Sequence, residues 1–206
     1  MGLISNGTTV FDAGAMSAGF GGSMTFIKKL TASDSGTLSF VDGGSSVVFD
    51  GTYKEYIFTL NNIHPQTDGK FFKFNLSADT GSNYNVTKTS TMFNTQHGEN
   101  GSSGALGYEA SYDLAQSTSD QPLVAGGGVG NGNDESLSGY LRIFNPASTT
   151  FIKHFEGSTN MYNNYNYVMT QYLAGYANTT SAVDAIIFRF DSGNIGSGDI
   201  CLYGIA

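Results

Sequence analysis

The sequence predicts an all-β protein: an antiparallel, jelly-roll-like β-sandwich over residues 37–206, preceded by an extended arm at residues 1–36. Composition is the first sign. The 206 residues include 28 Gly, 15 Phe and 12 Tyr but no Trp, and only 13% are charged. Gly, Ser, Asn and Thr are poor helix-interior residues, through backbone entropy, competing side-chain hydrogen bonds or lost rotamer freedom, whereas Phe, Tyr, Val, Ile and Thr suit a pleated, half-buried surface. The second sign is alternation: short runs switch between apolar and polar residues and are bounded by turn signals. The third is that no segment reads as a convincing helix. A chain of this length can bury about 70% of its unfolded surface, so it needs no metal or disulfide to fold.

The arm comes first. Up to Gly36 the sequence is rich in small residues, with Val10, Phe11, Phe20, Phe26 and Ile27 as isolated apolar anchors. It cannot bury much alone, so it packs either on a partner or on its own domain. From Thr37 the texture changes, with turn signals at Asp42-Gly43, Asp50-Gly51, Asp68-Gly69 and Gly81-Ser82. In TYKEYIFTLNNI, Tyr56, Phe58 and Leu60 share one face and Glu55, Ile57 and Thr59 the other. KFFKFNLSA repeats the pattern with Phe72, Phe74 and Leu76, and the two runs read as a hairpin with a longer loop around His64-Pro65.

The stretch from Thr89 to Ser136 is the least regular, and its Gly, Ser and Asn content predicts a surface segment. Its Ala125–Asp134 run, AGGGVGNGND, reads as a mobile link. Order returns with SGYLRIFNP and TTFIKHFEGS, joined by a turn at Asn145-Pro146, and three further strands follow in NYVMTQYLAGYA, DAIIFRFDSG and GDICLYGIA. At least eight strands result, best packed as two sheets face to face. The last strand ends the chain, which makes the N-terminal arm the expected tether.

Charge narrows the function. Seventeen acidic residues against nine basic ones give a net charge of -8, and the basic residues are scattered from Lys28 to Arg189. No cationic stripe exists to neutralise phosphates, so neither nucleic acid nor anionic lipid is an expected partner. No apolar stretch suits a signal peptide or membrane span, and the single Cys201 reads as a core residue.

A search for chemistry finds no catalytic set. His64, His97 and His154 have no second His or Cys at ligand spacing, so no metal or other cofactor is expected. The Ser-rich segments lack a nucleophile elbow, and the Gly-rich run lacks the Lys-Ser/Thr ending of a phosphate loop. Paired carboxylates for glycoside hydrolysis would have candidates in Asp134, Glu135 and Glu156, while the absence of Trp and the low charge argue against a sugar-cleaving cleft. The Asn131–Glu135 cluster reads as a solvated turn rather than a Ca²⁺ loop. Tyrosine is the residue type that points to a role: NMYNNYNYVMTQY sets Tyr162, Tyr165, Tyr167 and Tyr172 among amides. Rings beside amides suit contacts to sugar or protein, with Tyr162 and Tyr165 expected at the surface and Tyr167 and Tyr172 in the core.

The segments FDGTYKEYIFTLNNIHPQTDG, FNPASTTFIKHF and AGYANTTSAVDAIIFRFDSGNIGSGDICLYGI, with the opening MGLISNGTTVFDAGAM, resemble a widespread set of small structural proteins of marine tailed phages, cyanophages in particular. The resemblance covers most of Ser46 to Ile205 and weakens between about Gln96 and Ser136. It implies a non-enzymatic virion component: a capsid decoration protein, head fibre or tail-fibre module with a β-sandwich fold. The expected partners are other virion proteins, major capsid or tail, reached through the arm, with the sandwich projecting outward as a homotrimer. The rival expectation is a receptor- or carbohydrate-binding module in which Tyr162, Tyr165 and the Gly98–Asp134 segment recognise host polysaccharide.

Overall fold

Two unequal antiparallel sheets sandwich a phenylalanine-rich core. The computed structural model describes residues 3–5, 8–12, 15–16, 23–102 and 104–205. In chain order the strands are β1 (Leu3–Ser5), β2 (Thr8–Asp12), β3 (Ala15–Met16), β4 (Met24–Ser35), β5 (Leu38–Val41), β6 (Glu55–Pro65), β7 (Phe72–Ser77), β8 (Lys88–Gly98), β9 (Gly104–Tyr108), β10 (Gln121–Pro122), β11 (Leu137–Phe144), β12 (Lys153–Tyr162), β13 (Tyr167–Ala177), β14 (Ala185–Phe190) and β15 (Ile195–Ile205). One 3₁₀ turn, Ala110–Tyr112, follows β9. The large sheet has the order β4-β15-β6-β11-β12-β13-β8-β9, the small one β10-β7-β14-β5, and β1-β2-β3 form a sheet of their own.

The chain weaves between the layers: each small-sheet strand is preceded and followed in sequence by large-sheet strands. This corrects the expected hairpin of β6 with β7. Alternation grouped Phe58 with Tyr56 and Leu60, and Phe72 with Phe74 and Leu76, and both groups are buried, but β6 pairs with β11 and β15, and β7 with β10 and β14. The loop after Pro65 carries the chain across the core instead of back along the same sheet.

The core is the meeting of the two inner faces. Phe58 of β6 packs edge-on against Phe40 of β5 at 5.3 Å and lies 5.5 Å from Phe188 of β14, while Phe74 of β7 meets Phe155 of β12 edge-on at 5.4 Å. All five rings are buried. Edge-to-face pairs put the positive ring edge on the negative face, adding roughly 0.5–1.5 kcal/mol each beyond area burial. Phenylalanine thus supplies the large rings at the centre of this core, packed among Leu, Ile, Val and Met side chains, with no indole N–H groups to satisfy.

The sandwich begins earlier than expected. Met24–Ser35 is a twelve-residue edge strand whose ladder with β15 runs from Met24↔Ile205 to Ser35↔Ile195, so the sheet takes in residues assigned to the arm. Ile27 packs on the core, whereas Phe26 is exposed on the outer face against Tyr203. Of the other anchors, Val10 and Phe11 lie on β2, and Phe20 lies outside the described residues.

The Gly-rich run is not a mobile link either. Val124, Ala125 and Val129 are fully buried, and Val129 exchanges backbone hydrogen bonds with Lys70. Gly126, Gly127 and Gly128 all have positive φ, and a Cβ on Gly128 would lie 2.6 Å from the Gly69 backbone. Glycine is required here by conformation and by close approach.

Candidate binding surface

The outer face of the large sheet carries more ring surface than folding requires. Register fixes the arrangement: Tyr140 of β11 lies opposite Ser158 of β12, Ser158 opposite Tyr172 of β13, Tyr172 opposite Phe93 of β8, and Phe93 opposite Tyr108 of β9. These four rings form one row across five strands, and all four are exposed. At about 4.8 Å between strands the row is roughly 19 Å long. Phe93 and Tyr172 stack with centroids 4.9 Å apart.

Beside the row runs a trough. One hollow of about 400 Å³ is lined by Phe144, His154, Tyr176, Ala174, Gly175 and Glu156 among others, and a second of about 240 Å³ by Tyr140, Phe93, Tyr172 and Gly157; both share Thr91, Glu156 and Ala174. The floor is low because Ala174, which faces outward, carries only a methyl group, while Gly157 and Gly175 lie on the core-facing side of their strands and present only backbone here. Gly175 has no alternative, since a Cβ there would lie 2.5 Å from the Thr89 carbonyl oxygen. Arg142, the cation at the rim, is held by Glu55 at 2.9 Å and Glu156 at 3.4 Å, and stands over the Tyr140 ring. Its charge is thus spent within the rim, and the trough presents rings, hydroxyls and a carboxylate.

Toward one end the same face carries a cleft of about 380 Å³ lined by His97, Glu99, Asp134, Asn160, Tyr162 and Val168. Tyr162 donates its phenol hydrogen bond to the Glu99 carboxylate. That bond, with burial and the nearby charges of Glu99, Asp134 and Glu135 adding to it, pushes the phenol up to about 12. The turn from β12 to β13 is shaped by Asn163, whose Oδ1 accepts from the backbone N–H of Tyr165 and Tyr167 at 3.0 Å each. Tyr165 is 65% exposed and lies over Gly127, bordering a separate hollow that shares Gly98 and Glu99 with the Tyr162 cleft. The two tyrosines thus flank Glu99 in neighbouring depressions.

Tyr167 is half-buried against the core as expected, but Tyr172 is exposed. The correction has a simple cause: in YVMTQYL both parities carry apolar residues, and the face that turned inward holds Met169, Gln171 and Leu173. Phe93 and Tyr140 belong to no sequence-assigned site, whereas Tyr108 lies within the Gly98–Asp134 segment assigned to ligand recognition. His97, in the stretch expected to be the least regular, lies on β8. His64 Nε2 is 3.0 Å from the Gly132 carbonyl oxygen, and Glu135 Oε2 accepts from Gly132 N–H at 2.5 Å, so the Asn131–Glu135 cluster closes on itself as a turn. Among the described residues no group of three His, Cys, Asp or Glu side chains is gathered as metal ligands.

Compared with protein-family models, curated proteins and solved structures, the chain gives no match. What fold and site define is a class: an antiparallel β-sandwich with a ring-lined trough on the exposed face of its larger sheet.

Proposed function

We propose that the chain is a non-enzymatic structural protein of a tailed-phage particle's exterior, a capsid decoration protein, head fibre or tail-fibre component that touches other surfaces through its large sheet. The observation that carries this reading is the exposed row Tyr140, Tyr172, Phe93 and Tyr108, which adds nothing to the core yet is set in register across five strands. Ring surface gathered on one exposed face, with Phe93 and Tyr172 stacked within it, marks contact sites. The segment before Met24, with its own β1-β2-β3 sheet, is the tether to a capsid or tail protein. The resemblance to marine phage structural proteins supports the particle as the setting. Immunogold labelling of intact purified particles with antibody to this chain tests it: gold on the exterior is the expected result, and label only after particles are broken open refutes it.

The trough also favours a second reading, recognition of host polysaccharide. Rings with hydroxyls and amides suit the apolar faces and hydroxyl rims of sugars. The acidic balance of the chain points to neutral rather than anionic glycans. Binding of neutral glycans on an array, lost in Tyr172→Ala and Tyr162→Ala, would establish it; no binding to any glycan would leave the structural role.

A further inference from the structure

We propose that Lys88 and Asn75 join in an intramolecular isopeptide bond, made by the folded chain itself with release of ammonia and with Asp120 carrying the proton. Lys88 is on β8 of the large sheet and Asn75 on β7 of the small one; both side chains are buried. Lys88 Nζ lies 2.5 Å from Asn75 Oδ1. With a C=O bond of about 1.2 Å, the carboxamide carbon lies within roughly 3.7 Å of the amine, close to a near-attack distance.

The surroundings supply each part such a reaction needs. Asn75 Oδ1 also accepts from Leu76 N–H at 2.9 Å, a backbone donor placed where negative charge develops on that oxygen. Asn75 Nδ2 donates to Asp120 Oδ1 at 2.9 Å and to the Thr118 carbonyl at 3.0 Å, so donors face the oxygen and acceptors face the nitrogen, fixing the amide's orientation. Arg189 holds Asp120 from the far side through Nε at 2.7 Å and Nη2 at 2.9 Å. The segment bearing Asp120 is itself clamped to both sheets: Ser117 exchanges two backbone bonds with Lys88, and Gln121 pairs with Phe74.

Burial prepares the nucleophile. It pushes the Lys88 amine down to about 8, against the opposing charge of Asp120, so a sizeable neutral fraction exists near neutral pH. The neutral amine attacks the Asn75 carboxamide carbon. Asp120 takes the proton that the new C–N bond makes acidic and passes it to the Asn75 nitrogen, which departs as ammonia when the old C–N bond breaks. Amine plus primary amide gives secondary amide plus ammonia, with no oxidant and no co-reactant. The fold holds an internal contrast in Lys153, also a buried residue, whose Nζ ends on the backbone carbonyls of Phe151 and Thr179 at 3.0 Å each, where there is no ammonia to lose. The product would staple the small sheet to the large one, as suits a protein exposed on a particle.

Intact-mass spectrometry of the denatured full-length chain tests this directly. The folded wild type is expected to weigh one ammonia less than its sequence, and its digest to contain a branched peptide joining Asn75 to Lys88. Lys88→Met and Asn75→Ala keep their full sequence masses, and Asp120→Asn keeps its mass over times in which the wild type has converted. A folded wild type that retains its full mass after prolonged incubation at pH 9, where Lys88 is mostly neutral, overturns the proposal. So does an equal loss in Lys88→Met, which would place the ammonia loss elsewhere.

Discussion

Phe93 and Tyr172 face each other across β8 and β13 with ring planes 17° apart, and each keeps more than two fifths of its surface exposed. A pair this ordered and this open costs exposed apolar area, which a contact surface would recover when a partner covers it.

Truncating one ring separates contact from core. Tyr172→Ala should lower unfolding free energy by about 1 kcal/mol, the scale of one cross-strand pair. Phe58→Ala, at the centre of the sandwich, should cost about 3–5 kcal/mol. Urea unfolding of both variants checks this, and equal losses would place Tyr172 in the core after all.

Two truncations test where the sandwich starts. Removing residues 1–22 should leave a cooperative, nearly unchanged melt while abolishing incorporation into particles. Removing residues 1–36 deletes β4 and leaves β15 as a bare edge, so that protein should melt lower and aggregate. Thermal melts and light scattering distinguish the two.

Glycine substitutions report on the segment before β11. Gly128→Ala forces a side chain into left-handed backbone and against Gly69, so it should cost upward of 2 kcal/mol and lower Tm by several degrees. Gly43→Ala meets only the conformational cost, having no atom within 4 Å of its new Cβ, and should lose about 1 kcal/mol. Similar melts for the two would mean the run is loosely held.

Acid should expose the Asp120–Arg189 pair. Burial alone would raise the Asp120 carboxyl, but the bonds from Arg189 and Asn75, with the charges of Arg189 and Lys73, outweigh it and hold the group below its ordinary value. Its contribution is complete above the unfolded value of about 4 and is lost as pH falls through the lower folded value. Between pH 5 and 2 the wild-type Tm should fall more steeply than that of Arg189→Met, measured by calorimetry.

Much of this was legible in the residues. Tyr56, Phe58 and Leu60 declared a buried face because alternation reports which way a side chain points. It does not report which strand lies alongside, so the β6–β7 pairing was misjudged. KHFEG set Lys153 on the same face as Phe155, and both are buried, yet parity could not say that backbone carbonyls would receive the amine. Leu123, Val124 and Val129 are buried in irregular backbone, where no period exists to be read. The ring row depends on register among five strands, a tertiary relation that no local pattern in Tyr140, Phe93 or Tyr108 encodes.

The most direct measurement is a cryo-electron reconstruction of purified particles. The expected map places the sandwich on the exterior, the residues before Met24 toward the capsid or tail, and the sheet face bearing Phe93 and Tyr172 against a neighbouring protein or open to the host. A particle that lacks the chain, or holds it only inside, would contradict the account.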